Sequence, residues 1–364
     1  MTEAPIVLDG SAGEGGGQIL RTALALSAIT GKPFEIHHLR ANRLKPGLRP
    51  QHREAALAMA LVTGGEVEGA EVGSSRLSFR PGERVHPGDH TFDVGTAGST
   101  PLLFQTLCWP LALAGGASNL TLRGGTHQDY SPTFHYLALV WAPAVARLGF
   151  QFRLGLRVAG FYPEGGGEFS AVVEPAHPMP PLDLRQRGTL REVEVVSMVA
   201  GLDFQIAERQ AARAVKRLRD QGVSAEASCV PVPARLSTGA HLMVVGHFER
   251  SRSGHGAIAD GNAPPERTAD EVVSDFHEFL SGAGAVDVHL GDQLLVPAAL
   301  VAAGFLHPPP GVVPVTQYTV ARVTRHLLTN VEVVRRFLEV EVTVAGGEGQ
   351  EGAVSAGPRL RHSL

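Results

Sequence analysis

At 364 residues the chain is roughly two to three times an ordinary domain, which predicts two domains or one large domain carrying an insertion. Hydrophobic residues at 43% and charged residues at 19% exclude a disordered or collagen-like chain. With 36 acidic and 32 basic residues, the net charge of −4 excludes the global basic field of a nonspecific duplex binder.

In chain order, residues 5–9 (PIVLD) predict a strand, GSAGEGGGQ a turn and ILRTALALSAIT a helix stopped by Gly31. Ile19, Leu20, Ala23, Leu24 and Ser27 or Ala28 fit a 3.6-residue period on that helix. A second helix falls near residues 50–62. HTFDV then leads through GTAGS into a helix from about Pro101, capped by Ser99 or Thr100. Another helix over 132–148 opens at Ser131-Pro132 and closes at Gly149, and residues 163–175 read as a turn entering a strand. Residues 185–280 change character: REVEVVSMVA, SAEASCVPV and HLMVVGHF are strands, FQIAERQAARAVKRLRDQG a charged helix, and ERSRSGHGAIADGNAPPER a polar loop. Thr268-x-x-Glu271 predicts a capping box opening a helix to about Leu280. The strand, Gly-turn and helix order then resumes at VDVHLGDQLLVPAALVAAG with Asp292 as cap. Last, a strand ending at His326-Leu327-Leu328 meets a helix capped by Thr329 or Asn330, Thr329-x-x-Glu332 matching a capping box.

The chain therefore reads as mixed α/β: a repeat body over 1–184 and 281–345, a small inserted α/β domain over 185–280, and a loose tail over 346–364. Forty-three of the 364 residues are glycine, about 12% against a usual value of about 7%, so many tight turns or close approaches to a ligand are expected. Lys32, Lys45 and Lys216 are the only lysines, which leaves 29 arginines among the 32 basic residues. Cys108 and Cys229 form no CxxC pair and no disulfide framework, which points to a reducing compartment without structural zinc. The acidic start MTEAPIVLDG lacks the basic flank and apolar stretch of a signal peptide, and PLLFQTLCWPLALAGGA is interrupted by Gln105, Pro110 and a Gly pair. The expectation is a cytoplasmic protein with no membrane span.

Several segments can carry chemistry. GSAGEGGGQ fails the dinucleotide fingerprint, because Gln18 occupies the third glycine position, and fails the P-loop because no Gly-Lys-Ser/Thr follows. It reads instead as a backbone nest before a helix, with Glu14 as a hard ligand for Mg²⁺ or Mn²⁺ and Arg21 one turn in. LRANRLKPGLRPQHR gathers Arg40, Arg43, Lys45, Arg49 and Arg53 beside Gln51 and His52, a cluster suited to several phosphates. GTAGSTPLLFQ offers a second anion cradle, with Gln105 placed to read a base or phosphate, and RGGTHQDYSPTF concentrates Thr126, His127, Asp129 and Tyr130 in a loop. His326 stands near a helix N-terminus beside Arg322 and Arg325, which favours the neutral imidazole that can attack phosphorus. Each segment taken singly also reads as structure: a tight turn, a solvated basic face, a core histidine.

In combination they are far more specific. LDGSAGEGGGQILRTALALSAITGKP, LRANRLKPGLRPQH, LRGGT, GFYPEGGGE, HLGDQLLVPAAL and RHLLTNVEVVRRFL, in this order, resemble the RNA 3′-terminal phosphate cyclase family over nearly the whole chain outside the insertion and tail. The resemblance implies three repeated units of helices on a four-stranded sheet, related to the enolpyruvyl transferases, with a small inserted α/β domain. It implies ATP as substrate, a divalent metal, and an RNA with a 3′-phosphate end as partner, homodimerisation being left open. The implied chemistry runs through a covalent histidine-AMP and an RNA-(3′)pp(5′)A anhydride to a 2′,3′-cyclic phosphate. On this resemblance His326 is the nucleophile. Gln105, His289, Leu290, Gly291, Asp292 and Gln293 contact ATP, Pro132 and Tyr130 border the adenine pocket, and Glu14 binds metal. Arg21, Arg40 and Arg43, with Gln51 and His52, hold phosphates of ATP or the RNA end. Two departures stand out: THQDYSPTF is not the family pattern, and Gly291 occupies a position where Ala is expected.

Two rivals share the architecture. A cyclase-like ribosome-assembly factor would lack the nucleophile that RHLLTN supplies, and an enolpyruvyl transferase would form no histidine-AMP and has a longer, two-lobed chain.

Overall fold

The computed structural model describes residues 4–359. The first unit runs β1 (Ile6–Asp9), α1 (Gln18–Thr30), β2 (Phe34–His37), α2 (Pro50–Thr63), β3 (Glu66–Glu68) and β4 (Leu77–Arg80). Its sheet has the order β1-β2-β4-β3, with β1 and β2 parallel and the other pairs antiparallel. The second unit repeats that plan with β5 (Asp89–Asp93), α3 (Thr100–Ala112), β6 (Ser118–Gly124), a helical stretch, β7 (Phe152–Val158) and β8 (Gly167–Val173), ordered β5-β6-β8-β7. The helical stretch comprises α4 (Phe134–Tyr136), a π-helical turn (Leu137–Trp141) and α5 (Ala142–Ala146).

The third unit begins with β9 (Asp183–Leu184), and there the plan is interrupted. Between β9 and the helix that should follow come β10 (Leu190–Ala200), α6 (Gln205–Asp220), β11 (Glu226–Val232), β12 (Gly239–Phe248), β13 (Arg252–Ile258) and α7 (Pro265–Ser281). These strands form their own sheet, β11-β10-β12-β13. The third unit then resumes as α8 (Val288–Gln293), α9 (Leu295–Ala302), β14 (Thr316–Val320), α10 (Arg325–Phe337), β15 (Val340–Ala345) and β16 (Gly352–Pro358). Its sheet, β9-β14-β16-β15, has the order of the first two and the same parallel first pair.

Alternation along β6 shows why such segments bury one face: Ser118, Leu120, Leu122 and Gly124 point inward while Asn119 and Arg123 face solvent. Helices of the three units pack on one another, α1 touching α2, α3 and α10, so a single apolar core runs through the repeats. The inserted sheet has a second core, in which Val193, Val195, Leu242 and Val244 meet Leu218 of α6 and Val272, Val273 and Phe276 of α7. The charged side of α6 turns to α7, where Arg209 pairs with Glu266 and both Arg213 and Arg217 pair with Asp270. Arg187 closes the insertion, its guanidinium donating to the carbonyls of Phe279, Leu280, Gly282 and Gly284.

Local expectations were overturned at five places, each by tertiary pairing or by a cap one turn earlier. Residues 352–358, read as part of a loose tail, form β16, hydrogen-bonded on both edges by β14 and β15; residues 360–364 lie outside the described part. The polar stretch after Phe248 contains β13, paired antiparallel with β12 through seven positions. Gly254 permits close packing there, since a Cβ would meet Val140 Cγ2 at 2.6 Å. α7 begins at Pro265, before the Thr268-x-x-Glu271 box. Asp287, and not Asp292, caps α8, accepting from the N–H groups of His289 and Leu290. α10 starts at Arg325 under Thr324, whose hydroxyl accepts from Leu327 N–H, so Thr329 and Asn330 lie inside the helix and no strand reaches His326.

Candidate active site

The Gly-rich turn after β1 is clasped between two helices. A Cβ at Gly13, where φ is +57°, would meet Thr329 Oγ1 of α10 at 2.2 Å, and one at Gly17 would meet His52 Nε2 of α2 at 2.1 Å. Side-chain atoms are excluded so that three elements can approach. Thr329 Oγ1 accepts from Glu14 N–H at 3.1 Å, and Thr22 of α1 donates to Asn330 Oδ1 at 2.7 Å in a buried contact. α1 and α10 thereby present their first turns to each other.

At that junction His326 Nδ1 lies 2.6 Å from Gln18 Oε1, with Glu14 Oε2 at 3.8 Å. An amide oxygen only accepts, so Nδ1 carries the proton and Nε2 keeps its lone pair. The imidazole is held below its ordinary range, chiefly by burial and then by Arg21, Arg43 and His289. The expected neighbours contribute differently: Arg322 pairs with Glu278, and Arg325 with Glu348. Gln18, legible in sequence only as a missing glycine, is the partner that sets the tautomer.

Beside this junction is a concentration of positive charge. Burial and Arg40 pull the Arg21 guanidinium down to about 10. Burial together with Arg21, Arg40 and Arg49 holds His52 well below its usual value, and His52 Nδ1 accepts from Arg49 N–H at 3.2 Å. Arg40 adopts φ +55° and its buried Nε has no partner. Arg43 pairs with Glu14. An anion is what this group of arginines leaves unsatisfied. Gln51 is otherwise engaged, its Oε1 accepting from Ser99 N–H at 2.9 Å and joining α2 to the cap of α3.

A cleft of about 970 Å³ opens from here across to the insertion, at the upper end of the range for small-molecule sites. Gln18, Arg21, Gln105, His289, Asp292, Gln293 and His326 line it, as does the segment Gln128–Thr133 with Tyr130 and Pro132. Gln105 donates through Nε2 to Gln293 Oε1 at 2.6 Å, tying α3 to α8. Tyr130 is fully solvent-exposed at φ +61°. Leu290 and Gly291 do not line the cleft: both are buried beneath it, and the Tyr318 hydroxyl donates to Gly291 O at 3.0 Å. A Cβ at Gly291 would meet Val320 Cγ1 at 2.7 Å, so the departure from the expected alanine is matched by Val320 below it. Glu14 and Arg43 lie against Gly16 and His52 against Gly17 of the Gly-rich turn, Arg40 stands near Arg21, and Gln51 packs against Gly98.

Asp292 is the unusual carboxyl of the wall. Burial, opposed by the bond from Thr324 Oγ1 and aided by Asp287, raises it to about 7. Its folded-state value lies above the unfolded 3.8, so the stability it contributes is present at low pH and is lost as pH rises toward about 7. Asp292→Asn should therefore flatten the decline in thermal midpoint between pH 5 and pH 8; a decline as steep as in wild type would exclude this carboxyl as its source.

An imidazole held below its ordinary range at a helix N-terminus, arginines gathered beside it and a cleft of nucleotide size, at the meeting of repeated α/β units, are the features of a class of proteins that handle phosphate groups. Comparison with known proteins narrows the class. The sequence profile described as RNA 3′-terminal phosphate cyclase matches residues 12–344. Proteins named RNA 3′-terminal phosphate cyclase are similar along the chain: one from Methylococcus capsulatus is 40% identical over 354 residues, covering 95% of each chain. Another from Koribacter versatilis is 39% identical, covering 94% of this chain and 92% of the relative, and one from Trichormus variabilis is 38% identical, covering 94% and 97%. The chain belongs to the RNA 3′-terminal phosphate cyclase family. Among the described residues, no helix is long and apolar enough to cross a membrane.

Proposed function

We propose that the protein converts an RNA 3′-terminal phosphate into a 2′,3′-cyclic phosphate at the expense of ATP, with His326 as the covalent nucleophile. The observation that carries this reading is His326 itself: neutral by environment, held in one tautomer by Gln18, and on the wall of the cleft. Its Nε2 lone pair attacks the α-phosphorus, the bond from that phosphorus to the bridging oxygen breaks, and pyrophosphate leaves with the electron pair. An oxygen of the RNA 3′-phosphate then takes the adenylyl group from the imidazole. The adjacent 2′-hydroxyl oxygen attacks the activated phosphorus, AMP departs, and the hydroxyl proton passes to solvent. Adenylylation is needed because a phosphate monoester has no good leaving group.

Arg21, Arg40 and Arg43 supply donors where negative charge accumulates on the phosphates. Gln105, His289 and Gln293 border the nucleotide, and Tyr130 and Pro132 the side toward its base. Glu14 offers one hard carboxylate close to His326, which fits a divalent ion whose other ligands come from phosphate oxygens and water. When bound there, Mg²⁺ or Mn²⁺ offsets phosphate charge.

The test is to supply an RNA oligonucleotide ending in a 3′-phosphate together with ATP. Conversion to the cyclic phosphate, with one AMP and one pyrophosphate per end, is expected. RNA binding without conversion would move the protein to a non-catalytic, assembly-factor role.

A further inference from the structure

Away from the reacting groups, three histidines meet where the inserted sheet packs on the second repeat unit. His127 follows β6, His135 belongs to α4, and His241 lies on β12. Their ring centroids are 5.1, 5.1 and 5.5 Å apart. One nitrogen from each falls within 4.8 Å of the others, and His127 Nε2 is 2.8 Å from His135 Nδ1. His241 is fully buried, yet neither of its ring nitrogens has a hydrogen-bond partner. A buried imidazole with two unsatisfied nitrogens is costly unless something absent completes it.

From this geometry we infer that His127, His135 and His241 bind a transition-metal dication, Zn²⁺ being the ion that three imidazoles suit. No carboxylate or thiol shares the cluster among the described residues, which disfavours Mg²⁺ and Ca²⁺ and matches the borderline-soft ions. With Zn–N bonds of about 2.0–2.1 Å the three nitrogens would stand roughly 3.3 Å apart, His127 Nε2 and His135 Nδ1 opening slightly from 2.8 Å and His241 moving in, with a fourth position left open to water. The proton between His127 and His135 has a route out of the way. Thr126 Oγ1 lies 2.8 Å from His127 Nδ1 and 3.5 Å from Gly160 O. Its hydroxyl can turn to that carbonyl while Nδ1 takes the proton and donates to Thr126, freeing Nε2 with no net proton change. That is the outer partner a metal-bound histidine ordinarily has.

The location gives the site a role. His127 and His135 bracket Gln128–Thr133, the segment that lines the cleft, and His241 anchors both to the insertion. A bound ion would therefore clamp the cleft segment and the inserted sheet together, independently of the metal proposed at Glu14.

The test uses the whole chain, stripped with EDTA, dialysed and titrated with Zn²⁺ against a chromophoric chelator, with Co²⁺ as a visible-absorption probe. One tight equivalent per chain is expected, with the Co²⁺ ligand-field bands of nitrogen coordination. His241→Gln and His135→Gln should each weaken binding by more than the roughly 10–100-fold that loss of an outer partner costs, while Glu14→Gln retains it. Absence of a tight equivalent in the wild type overturns the proposal, as do unchanged affinity in the histidine variants and loss of the equivalent in Glu14→Gln instead. Circular dichroism checks that each variant is folded. Should His241→Gln fail that check, the wild-type stoichiometry and His135→Gln, whose ring is only partly buried, decide.

Discussion

His326→Ala leaves a folded protein that takes up no label from ATP carrying ³²P at the α-phosphate, whereas the wild type acquires an acid-labile band on a denaturing gel with no RNA present. The expected fall in adenylylation is roughly 10⁴-fold or more, since removing a covalent nucleophile eliminates the step itself. Folding should survive. The His326 side chain is 48% exposed, it sits in the first turn of α10, and alanine is the best helix former. Gln18→Ala should reduce labelling much less, because Glu14 Oε2 remains near Nδ1 as a second acceptor. The pH dependence has a definite sign. The reactive form is neutral imidazole, and burial with Arg21 and Arg43 lowers its affinity for the proton. Labelling should thus hold as pH falls to 6.5, the ordinary imidazole value, and decline only below it. Full labelling of His326→Ala would remove His326 from the chemistry.

What the sequence reveals of this arrangement depends on the range of the interactions involved. Gly31 ending α1 and Ser99 capping α3 are local events, and both are legible in a few residues. The first two repeats are legible for the same reason, since each strand, Gly turn and helix carries its own signal, whereas the first strand of the third, β9, lies before the insertion and not at Val286–Val288, where Asp287 caps α8. β16 is not, because its glycines become strand only when β14 and β15 pair on both sides. The order of motifs locates His326, but its partners require the fold: Gln18 is 308 residues away, and the arginines acting on it come from α1 and the loop after β2. Arg325 and Arg322, adjacent in sequence, look outward to glutamates. Asp287 and Asp292 illustrate the same limit within one helical turn and a half. Both are aspartates near a helix start, and only the path of the backbone after Ala285 decides that Asp287 is the cap and Asp292 part of the cleft wall.

Asp287 is also where the largest loss of stability should occur. The residue is 2% exposed. Oδ1 accepts from the Tyr136 hydroxyl at 2.7 Å and from His289 and Leu290 N–H at 3.0 Å each, while Oδ2 accepts from Gly254 N–H at 3.1 Å. One side chain thus joins the second unit, the inserted sheet and the third unit. Asp287→Ala removes a helix cap and strands a buried hydroxyl and a buried amide. At about 1 kcal/mol for the cap and about 1–3 kcal/mol for each of the two orphaned groups, the expected cost is about 5 kcal/mol of unfolding free energy, measured by urea denaturation. Asp287→Asn should cost less, since its oxygen can keep the cap and the tyrosine while its amide faces the Gly254 donor. A loss below about 1 kcal/mol for the alanine variant would mean that other contacts carry these joints. Because Tyr136 and His289 both line the cleft, the alanine variant should also bind ATP more weakly at temperatures where it remains folded. A fall in affinity that tracks the loss of stability would place nucleotide binding and the joining of the three units on the same buried carboxylate.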